Sequence, residues 1–453
     1  MIYELSDMSE YDVYAVNLQC VRSYIYYHES KYYKKIVDQV MEHTNYKWGD
    51  AVRWWVSNSA RAFKKEANGF VFSLDRNAYS KTTQGINYRK VKSFIDFLEE
   101  KSYIDIYKGY VKSWRMEKGK LVPDESVASC MIFRKRTKEM WENVNTSYNL
   151  WKELEDNDLA IIRHRETKQM MPTRGHKGFK DIKSEVKNMN DMLAGASITF
   201  DGQPIADVAY RRIFSGDLNS GGRLYTLGGG VQLLPQHIRA SSLMIDGEQV
   251  VELDYSAIHP SICYQMMYNT DGFSIYDVMG KEFSPYDADL SFIKVDGRMK
   301  EQWESITGKT HNPVRQLAKL AILIGMNSND KNSAAWTLGN KVKIDRAQNN
   351  IEDQEFYAMV GNIDYSSVLE AVQIHNDFIS EHFFSDAGIT LQNIDSKIMM
   401  RIVGSMGTKG HTVLAYHDSC LVKASVEDDL REAMYSAWKT VLGDTTFCKV
   451  DKK

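Results

Sequence analysis

The run Val250-Val251-Glu252-Leu253-Asp254-Tyr255-Ser256-Ala257-Ile258-His259-Pro260-Ser261 decides how this chain is read. Val250, Val251 and Leu253 make a short apolar strand, and Asp254 falls where it ends, ahead of a helix-like segment. A carboxylate in that position is a common way to hold a metal at a sheet edge. Far downstream, VLAYHDSCLV (Val413 to Val422) reads as a hairpin with apolar residues on both sides of His417-Asp418. An aspartate in such surroundings is expensive unless it is paired or binds a metal. Two strand-borne aspartates from distant parts of a chain are what two-metal phosphoryl transfer requires. Glu252, two residues before Asp254 and so on the same strand face, is a candidate third carboxylate. Between these segments, PVRQLAKLAILIGMNS (Pro313 to Ser328) reads as a helix whose polar stripe is Arg315 and Lys319, four apart and suited to gripping phosphates.

The remainder of the chain sets limits. At 453 residues, two or three domains are expected. Lys+Arg is 57 against Asp+Glu 60, so a nucleic-acid surface has to be a local concentration of cations, not a property of the whole chain. The five cysteines (Cys20, Cys130, Cys263, Cys420, Cys448) are scattered and never in a C-x-x-C pair, which argues against a disulfide scaffold or structural zinc. No run of about 18 apolar residues and no signal-peptide pattern is present. A reducing cytoplasmic setting, without a membrane, is the expectation.

Residues 1–144 are crowded with Tyr, Trp, Lys and Arg. Trp54 and Trp55 suit either an aromatic core or base stacking, as do the tyrosines around Tyr24 to Tyr33. Tyr88, Val91, Ile95 and Leu98 lie at helical spacing, with Arg89, Lys90 and Lys92 opposite. Tyr103 to Tyr107 alternates like a strand, a basic stretch with Lys112, Arg115, Lys118 and Lys120 follows, and a second strand lies around Cys130 to Phe133. Helix, strand, basic loop, strand is the order of a winged helix, which puts a helix in the major groove and its wing on phosphates. Residues 145–220 read as a charged, mostly helical stretch with a basic run from Arg163 to Lys180.

Taken together, the segments beyond Gly221 resemble the polymerase region of the family A DNA polymerases, with the single-subunit phage-type RNA polymerases as near relatives. GGRLYTLGGGVQLLP (Gly221 to Pro235) is similar to that family's T-G-R-L followed by L-Q-N-I-P, and VELDYSAIHPS resembles motif A, D-Y-S-Q-I-E-L-R. The run from Arg315 to Ser328 is similar to motif B, LQNIDSKIMMRIV (Leu391 to Val403) to the M-Q-G-T-A-A-D-I-I helix, and Tyr416-His417-Asp418-Ser419 to motif C, V-H-D-E. The five segments stand in the family's order.

The resemblance implies an α+β right-hand palm with reduced fingers and thumb, preceded by the winged-helix-like part. The expected layout is 1–144 winged-helix-like, 145–220 thumb-like and helical, and 221–453 palm and fingers. It implies Asp254 and Asp418 as ligands of two Mg²⁺ (or Mn²⁺), Arg315 and Lys319 on the nucleotide phosphates, and His417 near the primer terminus. Arg223, Arg239 and Gln392 would contact the primer-template, with Lys90, Lys92, Lys112, Arg115, Lys118 and Lys120 as a further DNA surface. His259, Leu323 and Asn327 occupy nucleotide-facing positions where the family has, respectively, the glutamate that blocks a ribose 2'-hydroxyl, an aromatic and a closing tyrosine. Ser419 stands where motif C ends in glutamate. The implied activity is template-directed DNA synthesis from a 3'-hydroxyl, in a phage, plasmid or other mobile element. His259, Asn327 and the H-D-S run keep open a primase or RNA polymerase, and the missing tyrosine a replication initiator that only grips DNA. Proofreading is not expected, since no acidic exonuclease set is evident.

Overall fold

The computed structural model describes residues 2–22, 36–38, 40–41, 47–74, 79, 86–117, 120–142, 159–228, 230–271, 284–293, 313–347 and 363–453. The chain is a mixed α+β protein. Its described strands are β1 (Ile2–Glu4), β2 (Cys20–Arg22), β3 (Gly69–Phe72), β4 (Ile104–Lys108), β5 (Val111–Glu117), β6 (Lys120–Ser126), β7 (Ser129–Phe133), β8 (Ala160–Arg163), β9 (Ile198–Phe200), β10 (Gln203–Pro204), β11 (Ala209–Ser215), β12 (Asp217–Gly228), β13 (Leu243–Ile245), β14 (Glu248–Tyr255), β15 (Leu414–Tyr416), β16 (Ser419–Lys423) and β17 (Val450–Lys452). Its described helices are α1 (Glu10–Leu18), α2 (Asp50–Lys64), α3 (Tyr88–Glu100), α4 (Lys135–Glu142), α5 (Phe179–Ala194), α6 (Gln236–Ser242), α7 (Ile258–Asp271), α8 (Pro313–Met326), α9 (Lys331–Ala347), α10 (Tyr365–His375), α11 (Gly388–Thr408) and α12 (Glu427–Leu442).

Two sheets organise these elements. The first has eight strands in the order β1-β4-β7-β3-β2-β12-β11-β8. The second runs β10-β9-β13-β14-β16-β15, and β17 pairs with β14 beyond the reach of β13. The hairpin β5-β6 stands apart as its own two-stranded sheet. Trp54, Trp55, Phe70, Phe94 and Trp141 form a closely packed aromatic core, so for Trp54 and Trp55 burial wins over base stacking. Tyr24 to Tyr33 lie outside the described residues. A larger core gathers under the second sheet, and α1 contributes Tyr14 and Leu18 to it from the other end of the chain.

The N-terminal expectations meet a different topology. Helix α3 forms as its spacing predicts: Asn87 accepts from the Arg89 and Lys90 amides, Val91, Phe94, Ile95 and Leu98 are buried, and Lys90 and Lys92 are exposed. The two strands and the intervening basic hairpin are also present. A winged helix, however, closes its strands into a small sheet of its own, whereas here β4 and β7 are inner strands of the eight-stranded sheet. Local periodicity specifies a strand but not its neighbours. Residues 145–220, expected to be helical, hold one described helix, α5, among β8 to β11. Strand β12 runs through the expected 220/221 boundary, and the first sheet draws strands from both sides of 144/145.

One glycine in β12 is required by its surroundings. Gly222 has φ +93, and a Cβ there would lie 2.6 Å from the Phe214 ring. The pairing of β11 with β12 slips on both sides of Phe214, and this bulge carries Arg223 to the inner face of the strand.

Candidate functional site

The apolar residues of β14 seat it at the centre of the second sheet, antiparallel to β16 on one side and β17 on the other. Asp254 pairs with Ser419 across β16, and the Tyr255 amide donates to the Asp418 carbonyl at 3.3 Å. The turn between β15 and β16 is the two-residue loop His417-Asp418. His417 takes the φ +58 that so tight a hairpin demands. The two aspartates, 164 positions apart by their numbers, are therefore neighbours at one sheet edge. Burial, and next the Asp418 charge, push the Asp254 carboxyl up to about 6. Its Oδ1 is buried without a hydrogen-bond partner, while Oδ2 meets Lys453 Nζ at 2.8 Å.

Glu252 is not available as a third carboxylate. Arg239 Nη2 reaches both its oxygens at 2.6 and 2.7 Å, Arg239 Nε donates at 3.1 Å, and the Ser419 hydroxyl donates at 2.7 Å. The pair is almost wholly enclosed, with side chains 7% and 4% exposed. The same contacts remove Arg239 from any nucleic-acid surface: its guanidinium also lies 3.7 Å from the Tyr416 ring centroid and donates to the Leu234 carbonyl. A buried carboxylate needs a buried cation, and this cation is fully engaged. The residue at the end of the motif C-like run thus fixes Glu252 inside the sheet. Gln232, from the VQLLP segment, joins the backbones of β12 and β15 through Leu224, Thr226 and Ala415.

Arg223 and His259 are likewise turned inward. Arg223 makes a forked ion pair with Asp395 of α11, whose side chain is completely buried, and His259 Nε2 lies 3.0 Å from the same carboxylate. Burial opposes the Arg223 charge, but Asp395 and then Asp418 outweigh it and raise its pKa. The position expected for sugar discrimination instead joins α7 to α11 and β12. Alongside, Asn393 donates to the Leu218 and Gly221 carbonyls, and Arg212 to Gly222 and Ser396. Gln392, on the same helix, is half-buried. His417 packs edge-on against Tyr225 and Tyr416, and its Nδ1 is buried without a partner. Burial, followed by the Arg223 charge, lowers its pKa and keeps the imidazole neutral near pH 7.

Helix α8 spans nearly the stretch its sequence predicts. Leu317, Ala318, Ala321 and Ile322 are buried, and Lys319 and Leu323 are exposed at a four-residue interval. Arg315 and Lys319 both lie over the ring of Tyr286, at 5.2 and 5.9 Å. Burial raises the Tyr286 hydroxyl to about 12; Arg315 opposes the rise, and the charges of Asp418 and Asp254 add to it. Tyr286 gathers the two cations of α8, and sequence reading missed it. Its loop is held by Asn376, which donates to the Pro285 carbonyl at 3.0 Å, and by His375 Nε2, 2.9 Å from the Ser284 carbonyl. Neither contact has a sequence signal. Asn327 donates to the Leu323 carbonyl and packs against Gly388 at the start of α11, where no Cβ would fit. It joins two helices.

The side chains of Lys112, Arg115, Lys118 and Lys120 lie outside the described residues, although the backbone of β5 and β6 forms the hairpin. Among the described residues, no group of three or more His, Cys, Asp and Glu side chains has metal-binding geometry. The donors available for a cation are the Asp254–Asp418 pair. This suits a hard ion that also takes ligands from phosphates and water, and the partnerless Asp254 Oδ1 is where such an ion fits. Among the described residues no helix is long and apolar enough to cross a membrane.

No family model matches the chain, and no curated protein matches it. Among solved structures, the chain is similar to the POL domain of Pol1 from M. smegmatis, in complex with DNA primer-template and dNTP. The TM-score is 0.31 and the identity 11%, over 99% of this chain and 70% of that one. A likeness this slight carries no argument.

Proposed function

We propose that the chain is a template-directed nucleotidyltransferase that adds nucleotides to a 3'-hydroxyl, with the second sheet as its palm and α8 as part of its fingers. The observation that carries the reading is the meeting of Asp254 and Asp418 at one sheet edge, with a partnerless buried carboxylate oxygen and two cations of α8 gathered over Tyr286. The pair would hold divalent magnesium or manganese, which when bound supplies charge to the attacking oxygen and to the phosphates.

The chain's own groups account for the remaining requirements. Arg315 and Lys319 take the triphosphate of the incoming nucleotide. Arg315 is meanwhile 3.3 Å from Asp287, a partly exposed and therefore weak pair that a phosphate readily displaces. Neutral His417, in the turn beside Asp418, offers a hydrogen bond near the primer end without adding positive charge. The Arg223–Asp395–His259 cluster positions β12, α7 and α11 around the aspartates. The exposed face of α3 with Lys90 and Lys92, the β5-β6 hairpin and Gln392 serve as DNA contacts.

Purified protein given a primed template, Mg²⁺ and either deoxyribonucleotides or ribonucleotides tests this reading. Extension is expected, and it is lost in Asp254→Ala and in Asp418→Ala. Persistence of extension in either variant overturns it. Unprimed template in parallel tubes separates a primase from a primer-dependent enzyme.

A further inference from the structure

Strand β17 brings one more charged side chain to the aspartates. Its pairing with β14 sets Lys452 opposite Leu253 and Asp451 opposite Asp254. The Lys453 amide then donates to the Glu252 carbonyl at 3.0 Å, continuing the ladder by one bond. The strand is tied from outside as well: Arg431 donates to the Val450 carbonyl, Lys452 Nζ pairs with Glu427 at 2.6 Å, and the Ser256 hydroxyl donates to Asp451. The Lys453 side chain is thus delivered to one place, 2.8 Å from Asp254 Oδ2 and 4.0 Å from Glu252 Oε1. Glu252 already has Arg239, so Asp254 is the carboxylate that Lys453 neutralises.

We infer that Lys453 is a tethered counter-cation of the Asp254–Asp418 pair, and that a divalent cation arriving at the partnerless Oδ1 of Asp254 drives it, as a like charge, off Oδ2. This rests on the reading of those aspartates as metal ligands. The ammonium is small and has a single charge, and the side chain is 32% exposed. A flexible four-carbon stem lets it swing into solvent while the backbone of β17 stays paired. The exchange is one cation for another at the same carboxylate, with no bond made or broken in the chain. Without metal, Lys453 keeps two neighbouring carboxylates from standing uncompensated at the sheet edge. With metal, its displacement sets the concentration of divalent ion at which the site fills.

The test is binding of Mn²⁺ to the full-length, metal-stripped protein, followed by the electron paramagnetic resonance signal of free Mn²⁺. Wild type is compared with Lys453→Met, Lys453→Arg, Asp418→Asn and Asp254→Asn. Lys453→Met, which keeps the stem and removes the charge, is expected to bind Mn²⁺ up to about fivefold more tightly at the site that Asp418→Asn abolishes, one ion pair's worth of competition. Lys453→Arg keeps the charge and is expected to match wild type. Equal or weaker binding by Lys453→Met, or an Arg variant as tight as the Met variant, overturns the inference and leaves the metal reading intact. Mn²⁺ binding that neither Asp418→Asn nor Asp254→Asn alters overturns the metal reading, and this inference with it.

Discussion

Charging Asp254 in the metal-free protein opposes folding, and the size of that opposition can be measured. Its carboxyl is raised from 3.8 to about 6, first by burial and then by Asp418. A folded-state pKa above the unfolded value means the native state holds its proton more tightly. Stability from this group is therefore fully present below about pH 4 and is lost as pH rises to about 6. Raising the carboxyl from 3.8 to about 6 corresponds to about 3 kcal/mol, a large part of the stability of an ordinary domain. Asp254→Asn keeps the shape and removes the titration. In EDTA, urea denaturation of both proteins should give nearly equal stabilities at the acid end. At pH 7.5 the Asn protein should be the more stable, by an amount approaching 3 kcal/mol. The difference between the two proteins is the quantity to follow, since other groups titrate in both. A difference that stays constant across the range, or grows toward acid, would refute the account of Asp254 as a buried, like-charged carboxylate.

Glu252→Gln should destabilise the chain by about 3–5 kcal/mol in the same assay, because it leaves the Arg239 charge buried and unpaired; a loss under 1 kcal/mol would show the pair to be hydrated. Arg315→Ala and Lys319→Ala should each lower kcat/KM for the nucleotide by about ten- to a hundredfold, the worth of a charge-assisted hydrogen bond to phosphate, with thermal stability little changed. Steady-state kinetics insensitive to both would remove α8 from the nucleotide site. Changing Lys112, Arg115, Lys118 and Lys120 together to alanine should weaken DNA binding and flatten its salt dependence, by up to about 0.9 in the log-log slope for each phosphate no longer neutralised. An unchanged slope in fluorescence anisotropy titrations would mark the hairpin as a solvated loop.

What the sequence made legible was local. The apolar run before Asp254, the periodicity of α3 and of α8, and the hairpin around His417-Asp418 each carry their signal within a dozen residues, and each element is present. What stayed hidden was partnership. Arg223 reads as a free cation beside two glycines until Asp395, 172 positions later, takes it. Arg239 and Glu252 are only 13 apart, yet nothing in their spacing says that a short helix and a strand will turn them toward each other. Lys453 and Tyr286 have no local pattern at all, because each is brought in by backbone pairing or by a loop anchored elsewhere. The winged-helix expectation rests on local pattern in the same way, since an alternating run does not say how many strands will join it.

The first sheet has a mechanical consequence. Gly228 at the end of β12 pairs with Val21 of β2, so the strand that holds Arg223 is edge to edge with strands from the other end of the chain. Arg61 of α2 and Lys65 just beyond it both clamp Asp207, shortly before β11, which fastens the same seam a second time. The seam is one backbone pair and one twice-bridged carboxylate. Cutting the chain near residue 144 to obtain the candidate site alone would strip the β2 side of β12 and leave an open edge ready to pair with another copy. Conversely, a pull on the N-terminal strands runs along β12 to Arg223 and from there to Asp395 and α11.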